Sequence, residues 1–384
     1  MMKYKQVSFV MATAALGALA GCAANRNADI AAPTLAVTPL PQEDGVPVRQ
    51  WYMSTPDEVV HYVAEYGTEA KPGNVVIVLH GGWGAEHSYL LPAIKPLARE
   101  YRFVLYDQRG SLRSPVRPPA KVTYGAVDDL EQLRSRLGLE KVTLVAHSMG
   151  NHLAYGYLRA HPDRVAGLVL VGATVPGPFG EQRPAFLSEV WPTFSEADAA
   201  AIASRQTQYD DSVFTRTLRI AADEGLIPYE AGAATPENVK SFGLKDVIQT
   251  DQQKTDWWRI QFTCVNTYGG RNWRQMLGGQ VFYNGDAGQA VLEDPQYTTA
   301  CAEFWPVLKA FNGPIRVIIG TDDYVDLGPT MWPRLVTHLP NAQLDTIPRA
   351  GHSIWMDEPE RFTSSLRRAL QAAVSPRVDA SGPN

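Results

Sequence analysis

The stretch Lys141–Ala160, KVTLVAHSMGNHLAYGYLRA, constrains the fold more than any other. A β-branched apolar run passes through a serine with small neighbours straight into a helical pattern. Such a run reads as a strand buried on both faces, and those strands belong to parallel sheets covered by helices. The alternation recurs along the chain. Trp51–Ser54 and Val59–Tyr66 read as antiparallel opening strands, and Asn74–Leu79, Arg102–Tyr106, Lys141–Ala146, Val165–Val171, Ile315–Ile319 and Gln343–Ile347 as core strands. Helices are predicted at Ser88–Tyr101, Tyr124–Leu137, Met149–Ala160 and Glu358–Ala373. Strands alternating with helices predict an α/β fold with a mostly parallel sheet. The core is expected over 49–174 and 312–375, with a mainly helical lid, 175–311, inserted after the sixth core strand. That insert holds Trp191, Trp257, Trp258, Trp273 and Trp305, of which one or two are expected to line a pocket.

Charge narrows the function. With 35 Lys and Arg against 40 Asp and Glu, the net charge of −5 argues against nucleic-acid binding, which needs a basic face. Apolar residues at 45% and charged residues at 20% exclude wholesale disorder. The one long apolar stretch lies at the N-terminus, which excludes a polytopic membrane protein.

That stretch reads as an address. Lys3 and Lys5 precede the apolar run Val7–Ala20, which ends in Leu19-Ala20-Gly21-Cys22. The last four residues resemble the lipobox of bacterial lipoproteins. The resemblance implies a signal peptide over 1–21 and lipidation of Cys22. With Ala and not Asp at position 23, it further implies an outer-membrane anchor, the protein facing the periplasm or cell surface. Residues 22–48, with Pro33, Pro39, Pro41 and Pro47, read as a Pro/Ala-rich tether, and 376–384 as a flexible tail. In an oxidising compartment the two remaining cysteines, Cys264 and Cys301, have two alternatives: a disulfide or two buried thiols.

Four segments carry chemistry. Ala146-His147-Ser148-Met149-Gly150 resembles the G-x-S-x-G nucleophile elbow of the α/β-hydrolase superfamily, with Ala in the first glycine place. His80-Gly81-Gly82-Trp83-Gly84 resembles its oxyanion segment, which implies backbone N–H donors at Met149 and Gly82, with Trp83 as neighbour candidate. The G-x-x-D pattern after a core strand points from Gly320 to Asp323, with Asp322 and Asp326 as competitors. Gly351-His352-Ser353 supplies the base. The order Ser148, Asp323, His352 is that of the superfamily and implies a serine hydrolase with an acyl-enzyme intermediate. His80, His147 and His152 are read as structural. No His/Cys/Asp cluster has metal-ligand spacing and no phosphate-binding glycine motif stands at a strand end, so neither metal nor cofactor is implied.

Tyr106-Asp107-Gln108-Arg109-Gly110-Ser111-Leu112-Arg113-Ser114-Pro115 resembles the DQRGxGxS stretch of proline iminopeptidases. Asp107 and Arg109 are expected to pair near the active-site floor. Two departures stand out: Leu112 replaces a glycine, and AHSMG is commoner among esterases of the superfamily. The resemblance implies an aminopeptidase on a short peptide first, with a carboxylesterase on a small or medium ester as alternative. A catalytically silent binding lipoprotein is the remote one. Aminopeptidases of this kind hold the substrate amine with lid carboxylates, for which Glu196, Glu224, Glu230 and Glu237 are candidates. The oligomeric state is left open.

Overall fold

The computed structural model describes residues 42–43, 45–68, 73–116, 125–178, 186, 196–228, 250–270 and 284–374. The leader with Cys22, most of the tether, Glu230, Glu237, Trp191, Trp273 and the tail lie outside the described residues. No described helix is long and apolar enough to cross a membrane.

The strands are β1 (Val46–Ser54), β2 (Val60–Tyr66), β3 (Val75–Leu79), β4 (Arg102–Tyr106), β5 (Val142–His147), β6 (Val165–Val171), β7 (Ile315–Gly320) and β8 (Ala342–Ile347). They form one sheet in the order β1-β2-β4-β3-β5-β6-β7-β8, with the two-residue strand Gln42–Glu43 added at the β1 edge. The pairs at that edge, Gln42–Glu43 with β1, β1 with β2 and β2 with β4, are antiparallel; the other adjoining pairs are parallel. Every residue of β3 and β5 is buried, as continuous β-branched runs in the middle of a parallel sheet require. Their register pairs Leu79 with Ala146. The residues that follow, His80–Gly82 and His147–Ser148, therefore leave the sheet at one level.

The helices are α1 (Ala126–Arg136), α2 (Met149–Ala160), α3 (Glu196–Gln208), α4 (Thr215–Asp223), α5 (Asp251–Asn266), α6 (Gly285–Leu292), α7 (Pro295–Ala310), α8 (Gly328–Leu335) and α9 (Pro359–Val374). Alternation along β3 sends Val75, Ile77 and Leu79 into one apolar layer, shared with α1, α2, α7 and α8. Val76 and Val78 enter the layer on the other face, shared with α9. A third cluster, around Val213, Leu218, Ile260 and Cys264, is the insert's own core.

Three expectations change, and one open choice is decided. The helix predicted over Ser88–Tyr101 is a broken series of short turns, because Pro92 and Pro96 each start a new one. The tether ends before residue 48: Val46 and Val48 are buried in β1, and Pro47 between them stands opposite only the two-residue strand Gln42–Glu43. The lid is shorter than 175–311, since α7 packs along α2 and gives Phe304, Trp305 and Leu308 to the central core. Cys264 and Cys301 form no disulfide. Both are buried thiols, one in the insert's core and one in the central core.

Candidate active site

Ser148 sits between β5 and α2 at φ 56° and ψ −125°. A non-glycine residue held there costs about 1–3 kcal/mol, so its surroundings must impose the turn. Ser148 N–H donates to the Val171 carbonyl at 3.1 Å, and the Ser148 carbonyl accepts from Asn151 N–H at 2.9 Å and its side-chain amide at 2.7 Å. Close packing fixes the neighbours. A Cβ at Gly150 would stand 2.5 Å from the Leu79 carbonyl oxygen, and one at Gly81 2.6 Å from Ser148 Cβ. Ala146, at the first small place of the elbow, is accommodated within β5.

His352 lies between β8 and the short turn Ile354–Asp357, with its Nδ1 2.7 Å from Asp323 Oδ2. A carboxylate only accepts, so Nδ1 carries the proton and Nε2 keeps its lone pair. Nε2 is buried without a hydrogen-bond partner. The other Asp323 oxygen accepts from Val325 N–H at 3.0 Å. The competing carboxylates face elsewhere: Asp322 takes the Thr321 hydroxyl at 2.7 Å, and Asp326 takes Val175 N–H at 2.8 Å.

Ser148, His352, Gly82 and Met149 line one cavity of about 310 Å³. Gly82 has φ 67°, a conformation open to glycine. Trp83 is not part of the wall; it is buried edge-on to Tyr297, 5.9 Å between centroids. The rest of the wall is Gly81, Ala85, Tyr89 and His147 from the core, Gln261, Phe262, Val265 and Asn266 from α5, and Val325. A larger hollow of about 710 Å³ lies at the opposite end of the strands, around Lys141, Pro162 and Pro314, and holds none of these residues.

The remaining predicted residues lie outside the wall. His80 Nε2 accepts Gln108 N–H at 3.0 Å, while the Gln108 amide donates to the His80 carbonyl at 2.8 Å. These bonds fasten the Gly81–Gly82 segment to the stretch after β4, and burial holds His80 below its usual pKa. Asp107 and Arg109 do not pair with each other. Asp107 accepts from His87 Nδ1 at 2.6 Å, whereas Arg109 forks onto Asp129 at 2.6 and 2.7 Å and reaches Asp57 at 3.0 Å. Glu86, His87 and Asp107 form a buried group of metal-ligand type, but the His87–Asp107 contact is a hydrogen bond and Glu86 takes Ser88 N–H at 2.8 Å. His152 is buried beside Tyr297, off the cavity. Glu196 and Glu224 are exposed and absent from the wall.

Sequence reasoning missed the wall itself. Tyr89, Phe262, Val265 and Val325 belong to no motif, and only the fold brings them beside Ser148. The aromatic part of the described wall is Tyr89 and Phe262; Trp257 and Trp305 lie off it, and the side chains of Trp191, Trp258 and Trp273 lie outside those described.

Comparison with known proteins fits this geometry. A candidate carbamate hydrolase of Caulobacter sp. (strain K31) is 26% identical over 331 residues, 84% of this chain and 98% of that one. The proline iminopeptidase of Heyndrickxia coagulans is 35% identical over 113 residues, 29% of this chain and 38% of that one. Among solved structures, a candidate aryl esterase from Burkholderia cenocepacia matches with a TM-score of 0.56 at 20% identity, covering 85% of this chain and 100% of that one. At that identity the likeness speaks for the fold alone. The profile described as the alpha/beta hydrolase fold matches residues 74–359, from the start of β3 past His352, and the chain belongs to that family.

Proposed function

We propose that this enzyme is a serine hydrolase that cleaves an uncharged carboxylic ester through an acyl-enzyme. The observation that carries the reading is that Ser148 and His352 share one cavity while Asp323 holds His352 Nδ1 at 2.7 Å. Ser148 Oγ attacks the ester carbonyl carbon and its proton passes to His352 Nε2. Asp323 orients the ring and stabilises the imidazolium. The oxyanion takes the backbone N–H groups of Met149 and Gly82, the first of them at the start of α2, where the helix dipole adds to its attraction. One such donor contributes about 2.7–4 kcal/mol. The imidazolium then protonates the departing alcohol. Water, deprotonated by His352, attacks the acyl-Ser148 carbonyl and releases the acid.

The wall supports an uncharged acyl group. Ala85, Met149, Phe262, Val265 and Val325 are apolar, and α5 adds the neutral amides of Gln261 and Asn266. A free ammonium entering such a space loses several kcal/mol of hydration unless a carboxylate meets it. An aminopeptidase is the second reading. The Heyndrickxia coagulans proline iminopeptidase and the DQRG stretch favour it, and it requires a carboxylate of the insert outside the described wall, with Glu230 and Glu237 among the candidates.

Two panels separate the readings, using the chain from residue 23 onward with Ser148→Ala as control. Turnover of p-nitrophenyl esters, lost in Ser148→Ala, supports the esterase. Turnover of prolyl or alanyl p-nitroanilides that stops when the amine is acetylated establishes the aminopeptidase instead. The leader motif further supports export and anchoring at Cys22, tested by whether Cys22→Ala moves the protein from the membrane to the soluble fraction.

A further inference from the structure

Tyr89 and His147 are buried against the reacting groups, and the mechanism above uses neither. Tyr89 Oη lies 2.6 Å from the Gly81 nitrogen and 2.8 Å from His147 Nδ1. His147 Nε2 lies 3.2 Å from the carbonyl oxygen of His352. Chemistry fixes each direction. The His352 carbonyl only accepts, so His147 Nε2 carries the hydrogen and Nδ1 the lone pair. The Tyr89 hydroxyl must then donate to Nδ1. Gly81 N–H only donates, and it does so into the Tyr89 oxygen. One directed chain of three bonds thus runs from the oxyanion segment, through the residue before Ser148, to the backbone of the base.

The surroundings keep that chain in one state. The His147 ring lies 4.5 Å from the His352 ring and 4.9 Å from Trp355 between centroids. Burial, with the charge of His352 and then His80 acting the same way, pushes His147 well below its usual pKa. A neutral ring leaves the imidazolium that forms on His352 without a second cation beside it.

Resting on the serine-hydrolase reading, we propose that Tyr89 and His147 are positioning residues: their relay sets the distance between the His352 loop and the Gly81–Gly82 segment. A base and an oxyanion site out of step by about 1 Å cost on the order of 10²-fold in rate. The substrate still binds the same apolar wall, so the loss falls on kcat.

The test is the double-mutant cycle of Tyr89→Phe and His147→Asn, with His147→Gln alongside, assayed on p-nitrophenyl ester hydrolysis. Tyr89→Phe should lower kcat by about 10- to 100-fold with KM little changed. Because the two residues act through one chain, the double variant should lose no more than the worse single one. His147→Gln, whose amide reaches the Nε2 place and donates to the His352 carbonyl, should retain more kcat than His147→Asn. Full kcat in Tyr89→Phe, multiplying losses in the double variant, or equal rates in His147→Gln and His147→Asn would overturn the relay. Should Tyr89→Phe fail to fold, the comparison of the two His147 variants decides alone. Undiminished turnover in Ser148→Ala would instead sink the hydrolase reading, so the two failures are distinguishable.

Discussion

Ser353 N–H donates to the Asn266 carbonyl oxygen at 2.6 Å, so the residue after His352 is bonded to the last residue of α5. Asp357 strengthens the joint, since one of its carboxylate oxygens takes Gly351 N–H at 2.9 Å and Tyr268 N–H at 2.6 Å. On the other side Arg205 of α3 donates to the Thr321 carbonyl at 3.1 Å and to the Asp323 carbonyl, with its guanidinium carbon 4.1 Å from the Tyr324 ring centre. The insert is therefore tied to the backbones of both loops that present Asp323 and His352. Wall and base are held as one body.

Gly351 sits at the tightest point of that joint. A Cβ there would stand 2.8 Å from the Asn266 carbonyl oxygen and 2.9 Å from the Thr267 nitrogen. Gly351→Ala should cost about 1–3 kcal/mol of stability through overpacking. It should also lower kcat by on the order of 10-fold or more as His352 shifts. Thermal unfolding and steady-state kinetics on the same preparation check both.

Arg205→Ala removes a charged donor from two carbonyls, each such bond being worth about 1.5–3 kcal/mol. We expect a lower melting temperature, faster proteolysis within the insert, and a loss in kcat/KM. Arg205→Lys should rescue little, because one ammonium does not reproduce the planar fork or its stacking on Tyr324. Limited proteolysis of the three proteins side by side distinguishes these outcomes.

Among the three aspartates of one loop, only Asp323 touches His352. Asp323→Asn preserves shape but favours the wrong tautomer of the ring, and kcat should fall by about 10⁴-fold. Asp322→Asn should leave kcat near that of the parent, since Asp322 meets only the Thr321 hydroxyl. A reversed ranking in initial rates would move the acid to another residue.

Stability should fall on acidification. Burial holds His80 and His147 below their ordinary 6.5. Burial alone would raise the carboxyls of Asp107 and Asp129. The bonds and charges of His87 on Asp107, and of Arg109 and His61 on Asp129, outweigh it and hold both below 3.8. At all four groups the unfolded chain binds more protons, so stability rises with pH. The histidine share declines as pH drops below about 6.5 and the carboxylate share as it drops below about 4. Urea midpoints between pH 8 and 4 should decrease monotonically toward acid; a rise from pH 7 to 5 would contradict this.

Much of the framework is legible in the sequence because burial on both faces leaves continuous apolar runs such as Val75–Leu79 and Val165–Val171. The elbow, oxyanion segment and base loop are legible because steric demands at Gly81, Gly150 and Gly351 restrict those positions to glycine. Side-chain meeting points are not. Nothing in the spacing of Cys264 and Cys301 says that they occupy separate cores, or that Arg109 chooses Asp129 over Asp107. Helix α7 reads like lid because its Trp305 and Phe304 look the same in either core. The wall residues Tyr89, Phe262 and Val325 come from three distant segments, each unremarkable alone.

The most direct test of the central claim is labelling with a fluorophosphonate followed by mass spectrometry of the modified peptide. The expected result is one adduct on Ser148, lost in Ser148→Ala and strongly slowed in His352→Ala, with ester turnover falling in parallel. Labelling elsewhere, or turnover that survives in Ser148→Ala, would contradict it.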